Sequence, residues 1–206
     1  MTDSDFLREI AGIVPAAAAE QLGEIALTLE RMCVDVTGAV SRTAGEEIVS
    51  RLERELTRAT HGPVEDADVE FAVLFLDLDG LKPVNDTQGH AAGDDLLHRA
   101  ASALTSMAAR PTDYIIRWGG DEFLAICKTV GYPQSPEDLG ALMRDKFRVG
   151  LEVAGVNASI GYSYTTHEVS LKDAIAAADK AMYADKNIRK TGTIADALTG
   201  EEITEC

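Results

Sequence analysis

Tyr114-Ile115-Ile116-Arg117-Trp118-Gly119-Gly120-Asp121-Glu122-Phe123-Leu124-Ala125-Ile126 spells two apolar strands joined through a glycine pair. That pattern predicts a tight antiparallel hairpin, in which paired glycines accept the positive φ angles of the turn. Upstream, Phe71-Ala72-Val73-Leu74-Phe75-Leu76 is a continuous apolar run that stops abruptly at Asp77-Leu78-Asp79. Such a run fits a buried strand. Acids at the end of a buried strand and at the tip of a neighbouring hairpin can share a divalent cation. The glycines would also let a large group approach the backbone.

Working outward, a helix is predicted from near Thr43, where Thr43 and Glu46 have capping-box spacing. Ile48/Val49, Leu52 and Leu56 form its apolar face, Arg51, Arg54 and Glu55 face water, and His61-Gly62-Pro63 ends it. A helix from Asp94 to Ala109 carries Leu97, Ala100/Ala101 and Leu104 on one side. A further helix spans about 137–150, residues 156–165 alternate as a strand around Gly161, and a last helix opens at Ser170 and Asp173 and runs to about Lys190. The order is β-α-β-β-α-β, and the hairpin excludes a doubly wound parallel sheet. The expected class is α+β, a two-layer ferredoxin-like or palm-type antiparallel sheet flanked by helices with an N-terminal helical extension.

That extension, residues 1–33, is interrupted at Pro15. Beyond it Leu22, Ile25, Leu29, Met32 and Val36 trace a short heptad seam. The seam suits a contact with the domain's own core as well as one with a second copy, since it falls short of the roughly three heptads of a firm coiled coil. Residues 34–190 form the main domain and residues 191–206 an acidic tail.

Nineteen basic against 35 acidic residues give a net charge of −16. This excludes nucleic-acid binding through a broad basic surface. A polyphosphate ligand would have to be held locally, by metal ions, backbone N–H groups and a few lysines. Cys33, Cys127 and Cys206 are scattered without a C-x-x-C pair, which points to a reducing, cytoplasmic setting. The acidic start Met1-Thr2-Asp3-Ser4-Asp5 is unlike a signal peptide, and no apolar run reaches the roughly 20 residues of a membrane span.

Between the first strand and its helix lies Asp77-Leu78-Asp79-Gly80-Leu81-Lys82-Pro83-Val84-Asn85-Asp86-Thr87-Gln88-Gly89-His90-Ala91-Ala92-Gly93-Asp94. Its glycine spacing matches neither a Walker loop nor a dinucleotide fingerprint. It closely resembles the D-x-D-x-F-K-x-x-N-D-x-x-G-H-x-x-G-D run of the GGDEF family, the diguanylate cyclases. Arg117 to Phe123 then carries the motif that names that family, at the expected distance. Thr37-Gly38-Ala39-Val40-Ser41-Arg42 is a weaker match to its L-T-G-L-x-N-R segment, with Ser41 in place of asparagine. The resemblance covers roughly residues 34–190.

The resemblance implies a palm-like domain that binds one GTP with two divalent cations, Mg²⁺ or also Mn²⁺. Two such domains would meet face to face as a homodimer and condense two GTP into cyclic di-GMP and two pyrophosphates. It assigns metal binding to Asp77, the Leu78 carbonyl and Asp121, and deprotonation of the attacking hydroxyl to Asp121 or Glu122. Leu81 and Lys82 would offer backbone N–H groups to phosphate, Gly120 would flank the nucleotide, and Asn85 and Asp94 would read guanine. His90 is a structural residue or a substrate contact. Lys186 and Lys190 would hold phosphates, with Lys190 standing where arginine is usual and so lacking its bidentate fork. Gly80-Leu81 replaces the usual bulky-aromatic pair. Arg110 and Asp113, nine residues ahead of Gly119 in the case of Arg110, match the family's inhibitory R-x-x-D site for product. Taken without the resemblance, Asn85-Asp86 reads as a turn, Asp94 as a helix N-cap and the lysines as solvated. The alternative function is a non-catalytic sensor that binds GTP or cyclic di-GMP.

Overall fold

The computed structural model describes residues 34–61, 69–108 and 110–191. The expected N-terminal helices, most of the heptad seam, the linker after His61 and the acidic tail lie outside the described residues. Within them the chain runs α1 (Arg42–His61), β1 (Phe71–Leu78), α2 (Leu81–Gln88), α3 (His90–Met107), β2 (Asp113–Arg117), β3 (Glu122–Lys128), α4 (Pro136–Val153), β4 (Ala158–Tyr164) and α5 (Leu171–Thr191). The sheet order is β2-β3-β1-β4, with every neighbouring pair antiparallel. β1 and β2 therefore point the same way with β3 inserted between them, the split βαβ arrangement expected from the element order.

Alternation along β1 explains its unbroken apolar run. Ala72, Leu74, Leu76 and Leu78 pack with Leu97, Ala101 and Leu104 of α3 and Leu139, Met143 and Phe147 of α4. Phe71, Val73 and Phe75 pack on the opposite face with Val49, Leu52 and Leu56 of α1 and Leu171, Ala174 and Ala178 of α5. All eight residues of β1 are buried, and each large side chain contributes about 1.5–3 kcal/mol by leaving water. The sheet is thus the middle of three layers. The two-layer expectation accounts for the β-α-β-β-α-β core alone; α1 and α5 flank that core in sequence and cover its second face. Gly161 lets α5 come close: a Cβ there would meet Met182 N at 2.0 Å and Ala178 O at 2.2 Å.

Local signals set most element ends. Ser170 Oγ accepts from Asp173 N at 3.1 Å as its spacing predicts, and Ser135 Oγ accepts from Asp138 N at the start of α4, where Pro136 takes the first position. At α1 the cap is Ser41, whose Oγ accepts from Ala44 N at 3.4 Å. Thr43 lies inside the first turn, so the capping-box reading there is corrected. The stretch after β1 is more helical than expected. It folds as α2 between two glycines of positive φ, Gly80 at 85° and Gly89 at 87°. α3 consequently begins at His90, and Asp94 sits inside the helix rather than at its cap. Ahead of α1, Val40 donates to Ile115 O and accepts from Arg117 N, both at 2.9 Å, and covers part of the β2 edge. No helix among the described residues is long and apolar enough to cross a membrane.

Candidate active site at the ends of the central strands

The β1–β3 register sets Asp77 directly across from Glu122, and Leu78 N donates to Asp121 O at 2.9 Å. Two short segments thus bring Asp77, Asp121 and Glu122 to one end of the sheet. Asp77 is 7% exposed, and a carboxylate so buried needs a partner. Lys186 of α5 provides it, with Nζ at 2.6 Å from Oδ1. Burial alone would lower the lysine's pKa, but the hydrogen bond to Asp77 and the charges of Asp77, Asp121 and Asp79 carry it above the ordinary value. Glu122 shifts upward, first through burial and then through repulsion by Asp121, Asp77 and Asp179. Half-buried Lys186 neutralises Asp77, while Asp121 and Glu122 add further negative charge beside it.

The hairpin turn occupies Trp118 to Asp121, with the Trp118 and Gly119 N–H groups donating to Glu122 O at 2.8 and 3.2 Å. Neither Gly119 nor Gly120 is among the glycines of positive φ, so the backbone reason expected for the pair is corrected. Space is the reason at Gly119, where a Cβ would meet Glu122 Oε2 at 2.4 Å. Gly120 opens onto free space. Its carbonyl accepts from Arg117 Nε and Nη2 at 3.2 and 2.7 Å, while Nη1 pairs with Asp35 at 3.0 Å. Arg117 thereby ties the turn to the segment ahead of α1. Arg117 belongs to the hairpin motif, but nothing in the sequence marks Asp35, 82 residues away, as its partner.

A cavity of about 670 Å³ adjoins the acids and gathers Leu78, Leu81, Lys82, Asp121, Lys186 and Lys190. The Leu81 and Lys82 N–H groups open α2 and so have no acceptor within that helix, a geometry that suits anions. The cavity also holds Asp79 and Arg189, together with Asn157, which no sequence pattern marks. Arg189 donates to Ala158 O at 3.0 Å and lies 3.5 Å from Asp79. Asn85, His90 and Asp94 do not line it. They sit at the α2–α3 junction, where His90 and Asp94 are exposed and a Cβ on Gly93 would meet Asn85 Oδ1 at 2.0 Å. Arg110 and Asp113 lie apart, at the start of β2.

Among the described residues no cluster of three or more His, Cys, Asp or Glu side chains is arranged to enclose a metal by itself. Asp77 and Asp121 beside an anion-suited cavity nonetheless fit Mg²⁺, which takes one or two carboxylates and completes its shell from phosphate and water. Burial raises the Glu122 pKa first, and the neighbouring carboxylates that raise it further carry charge that a dication would relieve.

A family model described as diguanylate cyclase, GGDEF domain, matches residues 49–191. The chain is 33% identical over 154 residues to the bifunctional diguanylate cyclase/cyclic di-GMP phosphodiesterase MucR of Pseudomonas aeruginosa, a match covering 68% of this chain and 21% of that protein. It is 35% identical over 158 residues to an uncharacterized protein of Mycobacterium tuberculosis, covering 74% of this chain and 24% of the relative. The chain spans about a quarter of the length of these curated relatives. Among solved structures, a microbial GGDEF domain studied with cyclic di-GMP is 31% identical with a TM-score of 0.60, covering 75% of this chain and 90% of that one. The coiled coil and GGDEF domain of DgcB from Caulobacter crescentus, in complex with c-di-GMP, is 25% identical with a TM-score of 0.67, covering 83% and 90%. With the signature hairpin beside the acidic end of β1 and a family model spanning most of its length, the chain belongs to the GGDEF family of diguanylate cyclase domains.

Proposed function

We propose that the protein is a diguanylate cyclase, condensing two GTP into cyclic di-GMP and two pyrophosphates where two copies meet. One observation carries this: Asp77, Asp121 and Glu122 converge beside a cavity whose rim holds Lys186, Lys190 and the first N–H groups of α2. Loss of any of these acids would have favoured a binding module.

In this proposal Asp77, the Leu78 carbonyl and Asp121 hold the divalent cations, Mg²⁺ or Mn²⁺, two to each site. When bound, these neutralise charge on the attacking and leaving oxygens of an in-line displacement. The remaining work falls to the chain. The Leu81 and Lys82 N–H groups and the Lys186 and Lys190 ammonium groups orient the triphosphate, and Gly120 leaves room for it at the turn. Asn85 and Asp94 read guanine, with His90 beside them. A carboxylate at Asp94 accepts from guanine N1–H, a donor that adenine lacks, and so disfavours ATP. Glu122, its pKa raised by burial and by neighbouring carboxylates, takes the proton of the 3′-hydroxyl, with Asp121 as the other acceptor. That hydroxyl belongs to the nucleotide of the second copy, so catalysis requires a homodimer, which residues 1–33 would help assemble. Arg110 and Asp113 bind the product as a feedback site. The proposed setting is the cytoplasm, with no nucleic-acid partner.

The test is incubation with GTP and Mg²⁺ followed by product mass, for wild type and Asp121→Ala. Cyclic di-GMP should form with the wild type alone. Bound but unreacted GTP in the wild type would replace catalysis with the sensor function.

A further inference from the structure

The R-x-x-D pair is engaged by its own chain. Thr129 to Tyr132 form a turn closed by Tyr132 N donating to Thr129 O at 2.9 Å, with Gly131 at φ +82°. This turn aims two carbonyls at Arg110, whose Nη1 donates to Val130 O at 3.1 Å and Nη2 to Gly131 O at 2.5 Å. The Tyr132 ring lies under the same guanidinium, 3.5 Å from Cζ to the centroid. Its hydroxyl donates to Asp113 Oδ2 at 3.0 Å. A side chain at Gly131 would crowd this arrangement, because a Cβ would meet Arg110 Nη1 at 3.3 Å.

A guanine dinucleotide needs the same atoms. Its phosphates and guanine O6 and N7 accept from arginine, and its N1–H and N2–H₂ donate to a carboxylate. Here each terminal nitrogen of Arg110 already donates one N–H to the turn, one face of its plane is covered, and one Asp113 oxygen is taken. We propose that Tyr132 and its turn occlude the R-x-x-D site of the free protein, so that cyclic di-GMP binds only after the turn swings away. This rests on the assignment of Arg110 and Asp113 as the product site. Among the described residues the second Asp113 oxygen, Oδ1, is buried with no hydrogen-bond partner, a cost that solvent reaching it on opening would lower. Occlusion lowers apparent affinity by the fraction of molecules that are open, and so sets the product concentration at which feedback begins.

Isothermal titration of cyclic di-GMP into wild type, Tyr132→Ala, Tyr132→Phe and Arg110→Ala separates the possibilities. Tyr132→Ala should bind about tenfold more tightly than wild type, Tyr132→Phe should fall between them, and Arg110→Ala should lose binding. Equal or weaker binding by Tyr132→Ala, with binding still lost in Arg110→Ala, overturns the occlusion and keeps the site. Binding by Arg110→Ala equal to wild type, or no binding by any of the proteins, removes the site and the occlusion together. Should Tyr132→Ala fail to fold, Tyr132→Phe decides, since it keeps the ring and deletes only the hydroxyl; affinity equal to wild type then counts against occlusion.

Discussion

Lys186 and Asp77 form a 2.6 Å ion pair that joins the last helix to the end of the central strand, 109 residues away. The carboxylate is almost fully enclosed, whereas the lysine side chain keeps 26% of its surface in solvent. Asp77 therefore leans on Lys186 for its charge partner, while Arg189 lies 3.5 Å from Asp79.

Lys186→Met should cost about 1–3 kcal/mol, less than for a fully buried pair because solvent screens the exposed ammonium. Urea unfolding measures the loss, and adding Asp77→Asn should recover part of it by deleting the stranded charge. Because the folded pKa of Lys186 is raised, the pair's contribution is complete below the ordinary lysine value and disappears as pH rises through the folded one. An unchanged urea midpoint for Lys186→Met would show that the pair contributes nothing.

In Glu122 it is the charged form that the fold disfavours. Its pKa is raised from 4.5 in the folded state, so the folded protein holds that proton more firmly than the unfolded chain does. Stability is therefore given up as pH climbs from the ordinary value through the raised one. Glu122→Gln should melt at a higher temperature than wild type at neutral pH, with the difference vanishing below about pH 4, while cyclase activity is lost. A pH-independent difference would refute the electrostatic origin.

Arg117 and Asp35 are 19% and 17% exposed and 3.0 Å apart. A double-mutant cycle with Arg117→Ala and Asp35→Ala should give a coupling of about 1–2 kcal/mol. Arg117→Ala should also slow GTP turnover, because the Gly120 carbonyl loses both of its guanidinium donors. Additive stability effects would mean that the pair does not hold the turn.

Two glycines should respond in contrasting ways. Gly161→Ala drives a methyl group into the α5 backbone and should cost about 3 kcal/mol or more, since backbone cannot yield as a side-chain tip can. Gly120→Ala meets open space and should change stability by less than about 0.5 kcal/mol, so any fall in its turnover reports crowding of the nucleotide. Thermal melts of both variants settle the contrast; equal melting temperatures would contradict it.

Elements whose pattern repeats over neighbouring residues were legible from the amino acids. The apolar run 71–76, the hairpin flanking Gly119-Gly120 and the Ser170 cap all behave as their local chemistry dictates. α2 was not legible, because Pro83, Asn85 and Asp86 between Gly80 and Gly89 favour turns, whereas Leu81 and Val84 lie half-buried against the core on one side of the helix. Gly119 and Gly120 lack the positive φ expected of them. Positive φ is a local property that sequence suggests, whereas the Glu122 side chain folded over Gly119 is a contact only the folded chain contains.

The order of elements along the chain, the hairpin and the acids at the end of β1 follow from side-chain period and turn chemistry, which act over a few residues and leave a written trace. The pairings of Asp77 with Lys186, Asp35 with Arg117 and Arg110 with Tyr132 leave none. Each joins residues on different elements, and the entropy of closing the intervening chain grows so slowly with its length that no particular separation is favoured. Which charge meets which is chosen by how the helices settle on the sheet, and that choice is made in three dimensions.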